Sequence, residues 1–127
     1  MGYYILIGNV YTYHHVLYSQ SIKDHVGEEK LQLFINYALG YMSKLILPVK
    51  RGNFIEFRDG LINVCPVGRS CSQAERDQFA AYDKEHHIRE NFVKDLKRQF
   101  PDLGLVFSIG IYFTLVWSFT AYCNYFI

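Results

Sequence analysis

Arg58, Arg69 and Arg76 are the side chains of this sequence whose type and spacing best suit chemistry. A guanidinium is a planar fork of donors that matches the oxygens of a phosphate or a carboxylate. Between the second and third arginine, Ser72-x-x-Glu75 has the form of a capping box, which predicts a helix starting there with Arg76 in its first turn. An arginine at that end works mildly against the helix dipole, so its presence hints at a use. Taken singly, each arginine reads most simply as a solvated surface charge. Three converging on a helix N-terminus, where unpaired N–H groups already favour anions, would instead make an oxyanion site.

The element that must hold Arg58 is a hairpin. Asp59-Gly60 lies between the runs Asn53–Arg58 and Leu61–Pro66, and a two-residue Asp-Gly link is the strongest short-range hairpin signal. It predicts Arg58 opposite Leu61, Glu56 opposite Asn63 and Phe54 opposite Cys65. Side chains alternate across a strand, so Ile55, Phe57, Ile62 and Val64 form one apolar face that should meet the core, and Glu56, Arg58 and Asn63 share the other.

The remaining elements supply that core. Gln20–Gly27 reads as a short polar connection. Glu28–Ile46 has helical spacing, with Leu31, Phe34, Ile35, Ala38, Met42, Leu45 and Ile46 on one face and Pro48 as the stop. A short helix over Ser72–Tyr82 precedes a longer one over Lys84–Phe100, in which Ile88, Phe92, Leu96 and Phe100 recur every fourth residue. Arg89, Glu90, Lys94, Asp95, Lys97 and Arg98 are expected on its solvated face. Gly104–Ile109 reads as a strand, and Tyr11–Leu17 could supply another. The expectation is an α+β fold, an antiparallel sheet with two main helices packed on one face.

Charge is confined to the middle of the chain: every Lys, Arg, Asp and Glu lies between Lys23 and Asp102, and the net charge is +1. That balance gives no basic stripe for nucleic acid. Three cysteines without a CxxC pair argue against a disulfide scaffold or a zinc site and suit a reducing compartment. The neighbours His14-His15 and His86-His87 point different ways from their backbones and are expected to bind no metal together. Ile111–Ile127 is uncharged and aromatic, without a clean period of two or 3.6, and is expected to be loosely attached rather than folded into the domain.

The run KRGNFIEFRDGLINVCPVGRSCSQAERDQF resembles the cap domain of the eukaryotic phosphomannomutases, within the haloacid dehalogenase superfamily. The motif RGxFIEFR-x-G-x-x-N-V-x-P-x-GRSC carries the resemblance. It extends upstream through SQSIKDHVGEEKLQLFINYALGYMSKLILPVKRG and downstream through AYDKEHHIRENFVKDLKRQFPDLGLVFSIG. Residues 19–110 are thus expected to be the cap, with a poorly matched segment at 1–18 and an apolar tail at 111–127.

The resemblance implies an isomerase that interconverts mannose 6-phosphate and mannose 1-phosphate through a sugar bisphosphate, for GDP-mannose synthesis. It implies Arg58, Arg69 and Arg76 as substrate-binding residues, and a cytoplasmic homodimer joined through its caps with Phe54 at the interface. It also implies Mg²⁺ beside an aspartyl nucleophile in a DxDxT/S motif. No DxD occurs in this chain, and after Gly110 it departs from the family's pattern, which there supplies a serine and an aspartate to the sugar. The expectation is therefore an inactive piece of the enzyme without catalytic or metal residues of its own, its ends set by a truncated or mis-spliced gene model. The alternative is a non-enzymatic, tail-anchored or interaction protein that reuses the cap.

Overall fold

The computed structural model of the chain describes residues 21–58, 61–110 and 114–118. In chain order these form α1 (Ile22–Val26), α2 (Glu28–Lys44), β1 (Ile55–Arg58), β2 (Leu61–Val64), α3 (Gln73–His86), α4 (Ile88–Gln99), β3 (Leu105–Ile109) and β4 (Thr114–Ser118). The strands make one antiparallel sheet in the order β1-β2-β4-β3. The fold is α+β, with α2 and α4 on the same face of the sheet: Leu31, Phe34, Ala38 and Met42 of α2 share a core with Phe92, Val93 and Leu96 of α4 and with Ile62, Val64 and Phe107 of the strands. Phe34 meets Phe100 edge-on at 5.5 Å, and Tyr41 stacks on Phe92 at 4.4 Å. A smaller cluster of Cys65, Val67, Cys71 and Phe79 fastens α3 to the loop after β2.

The hairpin register is the expected one, with Arg58 opposite Leu61, Glu56 opposite Asn63 and Ile55 opposite Val64. The Asp59-Gly60 turn and the Tyr11–Leu17 strand lie outside the described residues.

Several expectations need correction. The polar connection before Gly27 contains a helical turn, α1, whose Ile22 and Val26 are buried. The helix that follows stops at Lys44, because Leu45 is extended ahead of Pro48, and Ile46 is consequently 85% exposed rather than core. The break between α3 and α4 falls at His87, which takes a left-handed conformation (φ 54°), not near Asp83. Phe57 is 46% exposed because β1 is an edge strand that the helices do not fully cover. Phe54, two residues before Glu56 and so on the polar face by simple alternation, packs partly against the core.

The largest correction concerns the apolar tail. Within residues 111–127, Thr114–Ser118 form β4, paired with β2 on one side and β3 on the other. The strand is held by backbone pairing on both sides, which a side-chain period does not report, so the absence of a period was not a sign of looseness.

Candidate anion site on the hairpin

The site begins with a backbone clasp that carries the hairpin past its strands. The Arg51 N–H donates to the Val67 carbonyl at 2.9 Å, Cys65 to Phe54 at 2.8 Å, Arg69 to Asn53 at 3.1 Å and Ser70 to Gly52 at 3.3 Å. The crossing point requires glycine. Gly68 has φ 91°, and a Cβ built on it would lie 2.2 Å from the Gly52 carbonyl oxygen. The clasp lays the Arg69 backbone beside the base of β1, and its side chain then reaches Glu56.

Glu56 is the hub. Arg58, two residues on and on the same strand face, donates to Glu56 Oε1 from Nε at 3.3 Å and from Nη2 at 3.0 Å. Arg69 Nε lies 3.1 Å from the other oxygen, Oε2. That second contact is an ion pair without the alignment of a good hydrogen bond, so Oε2 is buried with no directed donor. The three side chains are about one-third exposed, between 30% and 34%. Arg76 joins from α3, where Nη2 donates to the Arg69 carbonyl at 3.3 Å. The structure thus gathers all three expected arginines: two on one carboxylate, the third on the backbone of the second.

Opposite Glu56 stands Asn63, 1% exposed, with Oδ1 lacking a partner. A buried acceptor left unpaired costs about 1–3 kcal/mol, so this strand face retains polarity at the expense of stability.

The helix end itself is less open to an anion than the sequence suggests. Ser72 Oγ accepts from the Glu75 N–H at 3.3 Å, and Glu75 Oε2 accepts from the Ser72 N–H at 2.8 Å, a complete capping box. Glu75 also takes Arg51 Nε at 2.7 Å. The Ser72 amide, and after it Arg51, hold the Glu75 carboxyl below its ordinary range. With those two amides already bound, an anion here depends on the guanidiniums rather than on the helix terminus.

Sequence reasoning missed Glu56 and Asn63 as members of the site. The signal was available: Glu56 and Arg58 are two apart on a strand and share a face, and the hairpin register puts Asn63 beside them. It also misplaced Arg89, expected in solvent but buried. Arg89 Nε donates to Asp83 Oδ2 at 2.9 Å and Nη1 to the Gly110 carbonyl at 2.6 Å. Among the described histidines, His86 stacks on Tyr82 and His87 pairs with Glu90. Cys65 and Cys71 are buried and form no disulfide, and burial pushes the Cys65 thiol up. Among the described residues no three His, Cys, Asp or Glu side chains gather to hold a metal ion, so these residues do not fit the Mg²⁺ that the resemblance implies. No helix among them is long and apolar enough to cross a membrane.

Comparison with known proteins bears on the same residues. Residues 6–123 match the family model described as eukaryotic phosphomannomutase, a span that runs past both edges of the expected cap. The chain is 55% identical over 91 residues to a phosphomannomutase of Drosophila melanogaster. It is 57% identical over 91 residues to a probable phosphomannomutase of Caenorhabditis elegans, and 55% identical over 92 to a phosphomannomutase of Glycine max. Each alignment takes in 72% of this chain but only 36%, 36% and 37% of the respective relative, so the chain spans little more than a third of their length. A family match that takes in most of the chain, with more than half of the aligned residues identical, makes this protein a member of the eukaryotic phosphomannomutase family.

Proposed function

We propose that this chain is the cap portion of a phosphomannomutase, and that Arg58, Arg69 and Arg76 grip the phosphate of mannose 1-phosphate, mannose 6-phosphate or the sugar bisphosphate between them. The observation that carries the reading is the gathering of the three arginines around Glu56 and the Arg69 carbonyl, in a member of this family. In this reading the cap holds the phosphate distant from the reacting one and closes over the sugar. The aspartyl nucleophile and Mg²⁺ belong to sequence this chain does not carry, and no DxD stands anywhere in it. The chain alone therefore isomerises nothing, because the covalent route needs that aspartate. The complete enzyme acts as a cytoplasmic homodimer supplying mannose 1-phosphate for GDP-mannose, with Phe54 at the cap-to-cap contact.

Binding by the chain alone should be weak. The arginines are partly open to solvent, where screening removes most of the value of an ion pair. A dissociation constant near 1 mM, about 4 kcal/mol, is the expected scale. The test is an NMR titration with mannose 1-phosphate beside a coupled mutase assay. Shifts gathered at Arg58, Arg69 and Arg76, abolished by Arg69→Ala, are expected together with no turnover. Turnover by this chain would sink the fragment reading.

A further inference from the structure

We infer that Glu56 is a positioning residue of this site: its carboxylate assembles Arg58 and Arg69 into one preformed unit before any phosphate arrives. The functional meaning of that unit rests on the phosphate reading above. The geometry of the unit rests only on the contacts.

A carboxylate in an anion site is unexpected on charge alone. It repels the ligand and cancels one of three positive charges, leaving a net charge of about +2 in the cluster. If charge were all that mattered, a neutral residue at position 56 would bind phosphate better. What the carboxylate supplies is geometry. Arg58 comes from an edge strand and Arg69 from the loop after β2, and the side chains of both are about one-third exposed, at 34% and 31%. Side chains of that length and exposure lose substantial rotamer freedom when a ligand orders them. Glu56 is rooted on β1 between the two and touches each at its Nε, at 3.3 Å for Arg58 and 3.1 Å for Arg69. Arg58 is thereby held at two points, Nε and Nη2, and Arg69 by an ion pair at Nε. The unpaired Oδ1 of Asn63 across the hairpin shows a polar floor kept at this point without serving stability. The net charge of the cluster also matches a phosphate monoester dianion better than a monoanion. This pairing predicts preference for a sugar phosphate over the corresponding sulfate.

The test follows the arginine Nε–H resonances of the whole chain by NMR, in wild type, Glu56→Gln and Glu56→Asp, before and during titration with mannose 1-phosphate. Without ligand, the wild-type Arg58 and Arg69 signals should be resolved and slow to exchange. Both should be lost in Glu56→Gln, while Arg89, tied to Asp83 in the core, stays unchanged and reports an intact fold. Glu56→Asp keeps the charge but shortens the reach, and provides the same readout should the glutamine variant fail to fold. With ligand, Glu56→Gln should bind about tenfold more weakly despite being more positive, because preorganisation is lost. Equal or tighter binding by Glu56→Gln, or unchanged Arg58 and Arg69 signals beside an unchanged Arg89, would overturn the inference. If wild type binds no phosphate yet both signals still depend on Glu56, the assembly by Glu56 is upheld and the phosphate reading fails.

Discussion

Asp83 and Arg89 meet across the break between two helices. The Arg89 backbone N–H donates to Asp83 Oδ1 at 2.7 Å and its Nε to Oδ2 at 2.9 Å, with both side chains about nine-tenths buried. The Arg89 guanidinium also lies 5.8 Å from the centre of the Phe79 ring and holds the Gly110 carbonyl. One side chain thus ties α3, α4 and the end of β3 together. Removing one partner strands a buried charge, which costs about 3–5 kcal/mol. Asp83→Ala and Arg89→Ala should each lower stability by that order, and the double variant by less than their sum. Urea unfolding of the four proteins measures the coupling.

Gly68 should tolerate no side chain. Its positive φ and the 2.2 Å approach of an added Cβ to the Gly52 oxygen mean that Gly68→Ala must open the clasp. Backbone strain of this kind costs more than the roughly 1 kcal/mol that an alanine gains at a compatible site. The expected result is a lower urea midpoint together with altered Arg69 and Glu56 resonances. A midpoint at or above wild type would show that the loop has another packing.

Acid should loosen the start of α3. Glu75 titrates below its ordinary value of 4.5 in the folded chain, through the Ser72 amide first and Arg51 second. A depressed carboxyl stabilises the fold above its unfolded value, and that contribution is lost as pH falls through the folded one. The stabilisation is therefore fully present at neutrality and is lost in the acid range, around and below about pH 4.5. Amide shifts of Ser72 and Glu75 followed from pH 6 downward, each at about half-unit steps, check it. Glu75→Gln should remove the local transition.

Deleting residues 111–127 should unfold the domain. The deletion takes out β4, which is hydrogen-bonded on both sides, and leaves β2 and β3 with unpaired edges. Val116→Pro, which removes an N–H from the middle of that strand, should act in the same direction. Far-UV circular dichroism and amide dispersion report both. A cooperative fold that survives the deletion would show that β4 is dispensable.

The parts of the fold legible in the sequence were those with local signals. The Asp-Gly link predicted the pairing of Glu56 with Asn63, and the Ser72–Glu75 spacing marked the start of α3 as a capping box. The three arginines were identifiable by type, and the structure gathers them. What escaped was set by contacts distant in sequence. Arg89 looks solvated until Asp83 and Gly110 are folded against it. Thr114–Ser118 carries no clear pattern, and its place is set by pairing with β2 and β3. Glu56 reads as an ordinary surface acid until the clasp at Gly52 and Gly68 delivers Arg69 to it.

The strand order has a consequence for synthesis on the ribosome. β2 ends at Val64 and the strand that covers its free edge begins at Thr114, fifty residues later. At roughly 5–20 residues per second, that edge waits about 3–10 s for its partner. During the interval the finished hairpin exposes a row of amides and carbonyls next to apolar side chains that β4 has not yet closed off. Nascent chains of this protein should therefore engage holding chaperones until Ser118 has emerged. Slow codons placed between β3 and β4 should lower the yield of folded product more than the same codons placed between α2 and β1.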